Sequence, residues 1–308
     1  MRSRKLLLTL IIVLAVVAIA AAVTYHVIRR PARAVYLLPD GNVMAYVNFT
    51  ALHFMNMEKH PLTSDPEYQE FAAETGFDAQ HDLDNVAISA NVTGGANPEI
   101  AAIFSGTFNP ERISSYVKKQ PNVETENYGG KTIYFAPEKD QTARFSILDS
   151  KMVAVTFGAS ADTIHGIIEK FTGSGSTPRL LSDYYDDVPF ASVAWAIVRV
   201  PEFPVPPPGP AGVDLSILKN SVTIVSVRYT GSVRFRAEFI TENQNDATKV
   251  FTALNAVVAL GRATQVSNNP DKDLAQVMNS LELKQSGNRV VLTVVVPQEL
   301  IKKASQKR

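Results

Sequence analysis

The chain has 308 residues, 45% hydrophobic and 19% charged, which describes a globular protein able to bury one or two cores and not a disordered one. Its 30 Lys and Arg balance 30 Asp and Glu, but six of the basic residues and none of the acids fall within residues 1–33, so the remainder carries about −6. A mildly acidic body without a basic stripe argues against nucleic acid as a partner, and the absence of Cys excludes disulfides, thiolate metal sites and Cys nucleophiles.

The run Leu6–Val23 is 18 residues without a charge and reaches Ile28 if His26 is tolerated. About 20 apolar residues cross a bilayer as a helix. Basic residues bracket the run, and Tyr25 stands where an interfacial aromatic belongs. A cleaved signal peptide is the competing reading, with Ala18/Ala20 or Ala20/Ala22 as the small pair before the cut. The apolar run does not stop before those alanines, which favours an uncleaved single-pass transmembrane helix within residues 1–33, with the membrane as partner of residues 6–28. Arg2, Arg4 and Lys5 draw the N-terminus toward the cytoplasm, opposed by Arg29, Arg30 and Arg33. The short N-terminal tail favours a body on the periplasmic side.

A first α+β unit is expected over residues 34–171. It opens with a strand at Asn42–Phe49, then a short helix in "DPEYQEFAAETG". Strands "NVAISANV" and "EIAAIFSGTF" follow, joined through Thr93-Gly94-Gly95. Asn109 and Pro110 open a helix as N-cap and first-turn proline. Two hairpins come next, turning at Gly129-Gly130 and Asp149-Ser150, and a helix "SADTIHGIIEKF" ends the unit. The Gly-, Ser- and Pro-rich stretch from Thr172 marks a linker over residues 172–190.

A second unit, residues 191–308, repeats the order: opening strand Ser192–Val200, a Pro-rich loop, a strand pair turning at Thr230-Gly231-Ser232, a helix from Asn245, a further helix, a hairpin turning at Ser286-Gly287-Asn288, and a last helix. Asn85 corresponds to Asn220, and the halves differ in their insert, a hairpin in the first and an extra helix in the second. Alternation in "VSVRYTGSVRFRAEF" puts Arg228, Arg234 and Arg236 on one face and Val225, Val227, Val233 and Phe235 on the other. The stripe Val250, Phe251, Leu254, Val257 and Val258 is expected to cover that apolar face. The fold class is therefore α+β, two related units of antiparallel sheet covered by helices.

Motifs that carry chemistry are few. "GGKT" at Gly129–Thr132 lacks the Gly that a phosphate loop needs at Thr125 and sits between strands, so it reads as a hairpin turn. "TGSGST" has no Lys after it and reads as linker. His53 and His60 flank Glu58, His81 neighbours Asp82 and Asp84, and His165 lies on an amphipathic helix; these spacings fit no zinc pattern. "SDYYDDVP" gathers Asp183, Asp186 and Asp187 as an exposed acidic segment, and "PEFPVPPPGP" is a stiff crossing loop able to act as a peptide-like contact. Catalytic, cofactor-binding and metal-binding residues are assigned to none of these, and no cofactor is implied.

The start "YLLPDGNVMAYVNF" following an anchor, with "DPEYQEFAAETGFDAQHDLDNVAIS", resembles a group of uncharacterised membrane-anchored bacterial proteins in which a Leu-Pro step precedes a first strand and repeated α+β units follow. The resemblance implies fold and placement only. A non-enzymatic binding or assembly role in a bacterial envelope is the leading expectation, with a protein partner. A binder of a lipid or other apolar ligand between sheet and helix is the alternative, and an enzyme using carboxylates such as Asp78, Asp82 and Asp84 is the third.

Overall fold

The period-two segments become strands of one antiparallel sheet. A computed structural model describes residues 30–53, 65–92, 98–137, 141–200, 218–264 and 272–306. The apolar run 6–28, the loop at Thr93–Gly95, His60 and the Pro-rich stretch 201–210 lie outside these residues. Among the described residues no helix is long and apolar enough to cross a membrane.

The first half contributes β1 (Val43–Asn48), β2 (Leu83–Asn91), β3 (Glu99–Gly106), β4 (Glu124–Tyr128), β5 (Lys131–Ala136), β6 (Thr142–Asp149) and β7 (Met152–Gly158). The second contributes β8 (Ser192–Arg199), β9 (Val222–Tyr229), β10 (Ser232–Ile240), β11 (Glu282–Ser286) and β12 (Arg289–Pro297). They form a 12-stranded sheet in the order β11-β12-β10-β9-β8-β1-β2-β3-β7-β6-β5-β4. Outward from the central β1–β8 pair, both halves run first strand, strand pair, then the last hairpin with its second strand inward; the β4–β5 hairpin extends the first half alone. The pair is antiparallel, with Ala45 opposite Ala196 and Val43 opposite Val198. Residues 33–308 accordingly form one compact unit, and the sheet runs unbroken between the two expected units.

The helices follow their caps. α1 (Arg33–Leu37) and α2 (Phe49–His53) bracket β1. Asp65 accepts hydrogen bonds from the N–H of Glu67 at 2.8 Å and Tyr68 at 3.4 Å to start α3 (Pro66–Thr75), which Gly76 ends at φ 74°. α4 (Ala79–Asp82) is a single turn capped by Asp78. Asn109 accepts from the Arg112 N–H at 3.1 Å and Pro110 opens α5 (Pro110–Lys119). α6 is Asp162–Thr172 and α7 is Arg179–Tyr184, followed by a 3-10 turn at Tyr185–Asp187. α8 (Gln244–Thr264), α9 (Lys272–Asn279) and α10 (Gln298–Gln306) belong to the second half. The cap of α8 is Asn243, whose Oδ1 accepts from the Asp246 N–H three residues on at 3.0 Å.

The segment 172–190 departs from a linker. Its Gly-rich stretch ends before Pro178, and the apolar residues Leu180, Leu181 and Val188, set among the acids, are buried. The Asp40 carboxylate accepts from the Arg179 N–H at 2.6 Å, tying α7 back to the start of the chain.

Cross-strand partners share a face, so the register sorts every side chain. One face carries Met44, Ala87, Ile103, Ile133, Ala154, Trp195, Ile197 and Ile224, all buried. On it sit α6, whose His165 stacks on Tyr128 of β4, and the 3-10 turn, whose Tyr185 packs edge-on against Trp195. We call this the covered face. On the opposite face, α5 packs Phe108 and Ile113 with Val153, Phe104 and Phe145, while α8 packs Ala247 and Val250 with Phe239 and Val290. Helices therefore stand on both faces of the sheet, because both faces of the first half carry apolar side chains.

Gly106 marks where β2 and β3 meet α4. A Cβ there would stand 2.0 Å from the Asp82 carbonyl oxygen, which already accepts the Thr107 N–H at 2.8 Å. Gly106→Ala is expected to cost about 1–3 kcal/mol by overpacking. Gly166→Ala, in α6 with open space around its Cβ, is expected to stabilise by about 0.5–1 kcal/mol. Denaturant midpoints of the detergent-solubilised full chain check both; equal midpoints for the two variants would refute the close-approach argument.

Candidate functional site

The row Ile88, Ala45, Ala196, Val225 crosses four adjacent strands, β2-β1-β8-β9, on the face opposite Trp195. The row on one side of it holds Val86, Val47, Ala194, Val227 and Phe235, and the row on its other side Phe157, Ile100, Ala90, Val43 and Val198. All of these are apolar. On the covered face Met44, Ala87, Trp195, Ile197 and Ile224 of the same four strands are buried, while on this face Val86 is buried, Ile88 is 36%, Val225 38%, Phe235 42% and Phe157 45% exposed, and Val43, Ala45, Val47, Ala194, Ala196 and Val198 are half-exposed. α5 covers the first half of the face and α8 the second, and the centre lies between them. The expected stripe of α8 is seated only in part: Val250 and Val258 are buried, Val257 is exposed.

The centre has a shape as well as a polarity. Its low centre is the Ala45–Ala196 pair with Ala194 beside it, flanked by Ile88 on one side and Val225 on the other. Small residues between larger ones make a trough. Ile88 and Val225 stand either side of the Ala45–Ala196 pair, so the trough straddles the junction of the halves. The four strands of its first row span about 14–15 Å at 4.7–4.9 Å per strand. Single exposed apolar residues are ordinary, whereas a contiguous patch of this kind marks a binding surface.

The titratable side chains are used locally. Asp78 accepts from the Gln80 N–H at 2.9 Å and contacts His81 Nδ1 at 2.7 Å, and that hydrogen bond holds its carboxyl below the usual aspartate value. Asp82 accepts from the Asp78 N–H at 2.8 Å, and Asp84 accepts from the Thr50 hydroxyl at 3.4 Å. The structure therefore places Asp78 and Asp82 around one helical turn, where they cap it, and Asp84 on the next strand, bonded to Thr50. A cleft of about 590 Å³ beside them is lined by Gly76, Phe77, Asp82, Phe108, Asn109 and Arg112, with Asp82 and Asn109 occupied in these caps. Among the described residues no three His, Asp or Glu side chains group as a metal site.

The other sequence candidates fall as follows. "GGKT" is the β4–β5 turn, with Gly129 at φ 56° and Gly130 at φ 75°. His165 is not a plain surface residue: its Nε2 lies 2.9 Å from Glu126 Oε1, and Tyr128, stacked on it at 3.8 Å, donates to Glu169, which raises the tyrosine's pKa. This group staples the edge hairpin to α6. Asp187 is no exposed acid but half of a bidentate pair with Arg289, at 2.7 and 3.3 Å; Arg289 also reaches buried Glu238 at 3.0 Å, which Arg236 meets at 2.8 Å. These contacts bring four charges from distant segments together, and the sequence held no local signal for them.

No protein-family model matches the chain, and no curated protein matches it. Among solved structures, crystal form III of TP0453 is similar with a TM-score of 0.46 and 11% identity over 90% of this chain and 99% of that one. Crystal form I gives 0.47 and 10% over 90% and 98%, and form IV gives 0.45 and 11% over 88% and 95%. Likenesses at this level carry no conclusion about function.

Tyr46, under the 3-10 turn and stacked on Trp195 at 5.9 Å, has its phenol pushed up to about 12, first by burial and then by Tyr185 and Asp84. A phenol whose pKa is higher folded than unfolded holds its proton longer in the folded state. Its contribution is complete below about pH 10 and is lost as pH rises toward 12. Wild type is expected to lose up to roughly 2–3 kcal/mol more stability than Tyr46→Phe over that window. Denaturation midpoints of both at stepped alkaline pH are the measurement, and parallel curves would refute the assignment.

Proposed function

We propose that the chain is a non-enzymatic, membrane-tethered envelope protein that holds an apolar ligand, of the acyl-chain class, in the alanine-floored trough. The observation that carries this reading is the contrast between the two faces of β2, β1, β8 and β9: Met44, Ala87, Trp195, Ile197 and Ile224 are buried on one, and an apolar row from Ile88 to Val225 is wholly or partly exposed on the other. A trough with small floor residues and branched walls suits a narrow hydrocarbon chain. Each methylene buried there would contribute about 0.8 kcal/mol.

The tether is residues 6–28, supported by the uncharged run and its basic flanks, and the body lies on the periplasmic side. We infer further that the chain belongs with the membrane-anchored bacterial proteins its opening segments resemble and that its halves are a duplication, which the matching strand orders support. The ligand site then sits at the seam of the duplicated halves and not between sheet and helix of one of them. Both sheet edges are polar, with Glu124 and Glu126 on β4 and Glu282 and Lys284 on β11, which disfavours assembly by edge pairing.

In membranes containing a phospholipid with a photoreactive acyl chain, the full chain is expected to carry lipid adducts on peptides spanning Ile88 and Val225. Ile88→Glu with Val225→Glu should remove them while leaving adducts on residues 6–28. Adducts confined to residues 6–28 in wild type, or a protein cross-linked to the trough in place of lipid, would overturn the acyl-chain reading.

A further inference from the structure

Phe171, the penultimate residue of α6, is met by two cations: the Arg33 guanidinium lies 4.8 Å from its ring centroid and the Lys131 ammonium 5.2 Å. Lys131 also donates to the Leu148 carbonyl at 2.6 Å, and Lys170 beside the ring donates to the Leu38 carbonyl at 2.6 Å. Among the described residues neither Arg33 nor Lys131 has a carboxylate partner. Glu169 on α6 accepts from Tyr128, and Asp40 pairs with Arg179. An aromatic ring thus holds two positive charges together, with no carboxylate partner among the described residues, in a body that is acidic overall.

Chain length says what meets them. Arg33 opens α1 and lies ten positions after Val23, the end of the uncharged run, so at most about 35 Å of extended chain separates the two. We propose that Arg33, Lys131 and Phe171 form a docking face for the anionic headgroups of the leaflet that carries the tether, fixing how the body rests on the bilayer. The chemistry fits on both counts: headgroup phosphates supply the missing negative charge, and an aromatic ring between cations suits the interface between water and hydrocarbon. Exposed Arg33 is the entry point, and the shared ring keeps Lys131 aligned with it. This inference rests on the tether reading and is independent of the trough.

Because the chain has no Cys, Ser174→Cys, at an exposed position three residues past Phe171, gives a single attachment point for a nitroxide. The labelled full chain is placed in nanodiscs of phosphatidylcholine alone or with phosphatidylglycerol, each holding the same trace of a nickel-chelating headgroup that relaxes a nearby nitroxide. Relaxation is expected to rise with phosphatidylglycerol and to fall with added salt. The ratio of docked to undocked body should drop about 5-fold for each of Arg33→Gln and Lys131→Gln, and Lys131→Arg should restore it. Arg33→Glu, at an exposed position, serves if Lys131→Gln fails to fold. Equal relaxation in the two lipids, or none lost in the variants, overturns the docking face while leaving the tether intact. Wild type that does not stay with the discs overturns the tether and the docking face together.

Discussion

The pairing of β1 with β8 is the contact on which the rest of the body depends. Each is the first strand of its half, and each would otherwise present a row of unsatisfied N–H and C=O groups. Set antiparallel, with Ala45 opposite Ala196, they satisfy each other, and the Arg199 N–H closes the ladder on the Asn42 carbonyl at 2.8 Å. Two half-sheets with exposed edges become one sheet whose remaining edges carry charged residues. The same pairing brings the covered-face cluster of Tyr46, Trp195 and Tyr185 together from both halves, so the hydrophobic core of the centre exists only when the halves join.

That pairing also creates the trough. Each half brings its own helix to the opposite face, α5 over one end and α8 over the other, and neither reaches the shared strands. Alanine at the centre has a physical consequence there: small side chains leave the floor low, and the larger residues on β2 and β9 stand above it. A surface of this kind exposes hydrocarbon to water at a free-energy cost proportional to its area, which an apolar ligand would relieve.

The charged groups divide into two roles. Glu238, Asp187, Arg236 and Arg289 compensate one another and lock the 3-10 turn before β8 onto the second half; leaving any of them alone would strand a desolvated charge. Arg33 and Lys131 are different, since the Phe171 ring lies against both and, among the described residues, no acid pairs with them.

By itself the sequence determined the strands, their turns and the order of elements in each half, because alternation, Gly-Gly and Ser-Gly-Asn turns and the Asn109-Pro110 start are local rules written in neighbouring residues. It determined the apolar character of Val225 and Phe235 but not their exposure, since whether α8 spans a face depends on where the helix lands. Only the tertiary structure decided that the halves share one sheet, that helices stand on both faces, that residues 179–187 are helical and partly buried, and that Asp187, Glu238 and Arg289 meet. The reason is separation: Ala45 and Ala196, or Asp187 and Arg289, are more than a hundred residues apart, and no local propensity encodes which strand edge or carboxylate a distant residue will find.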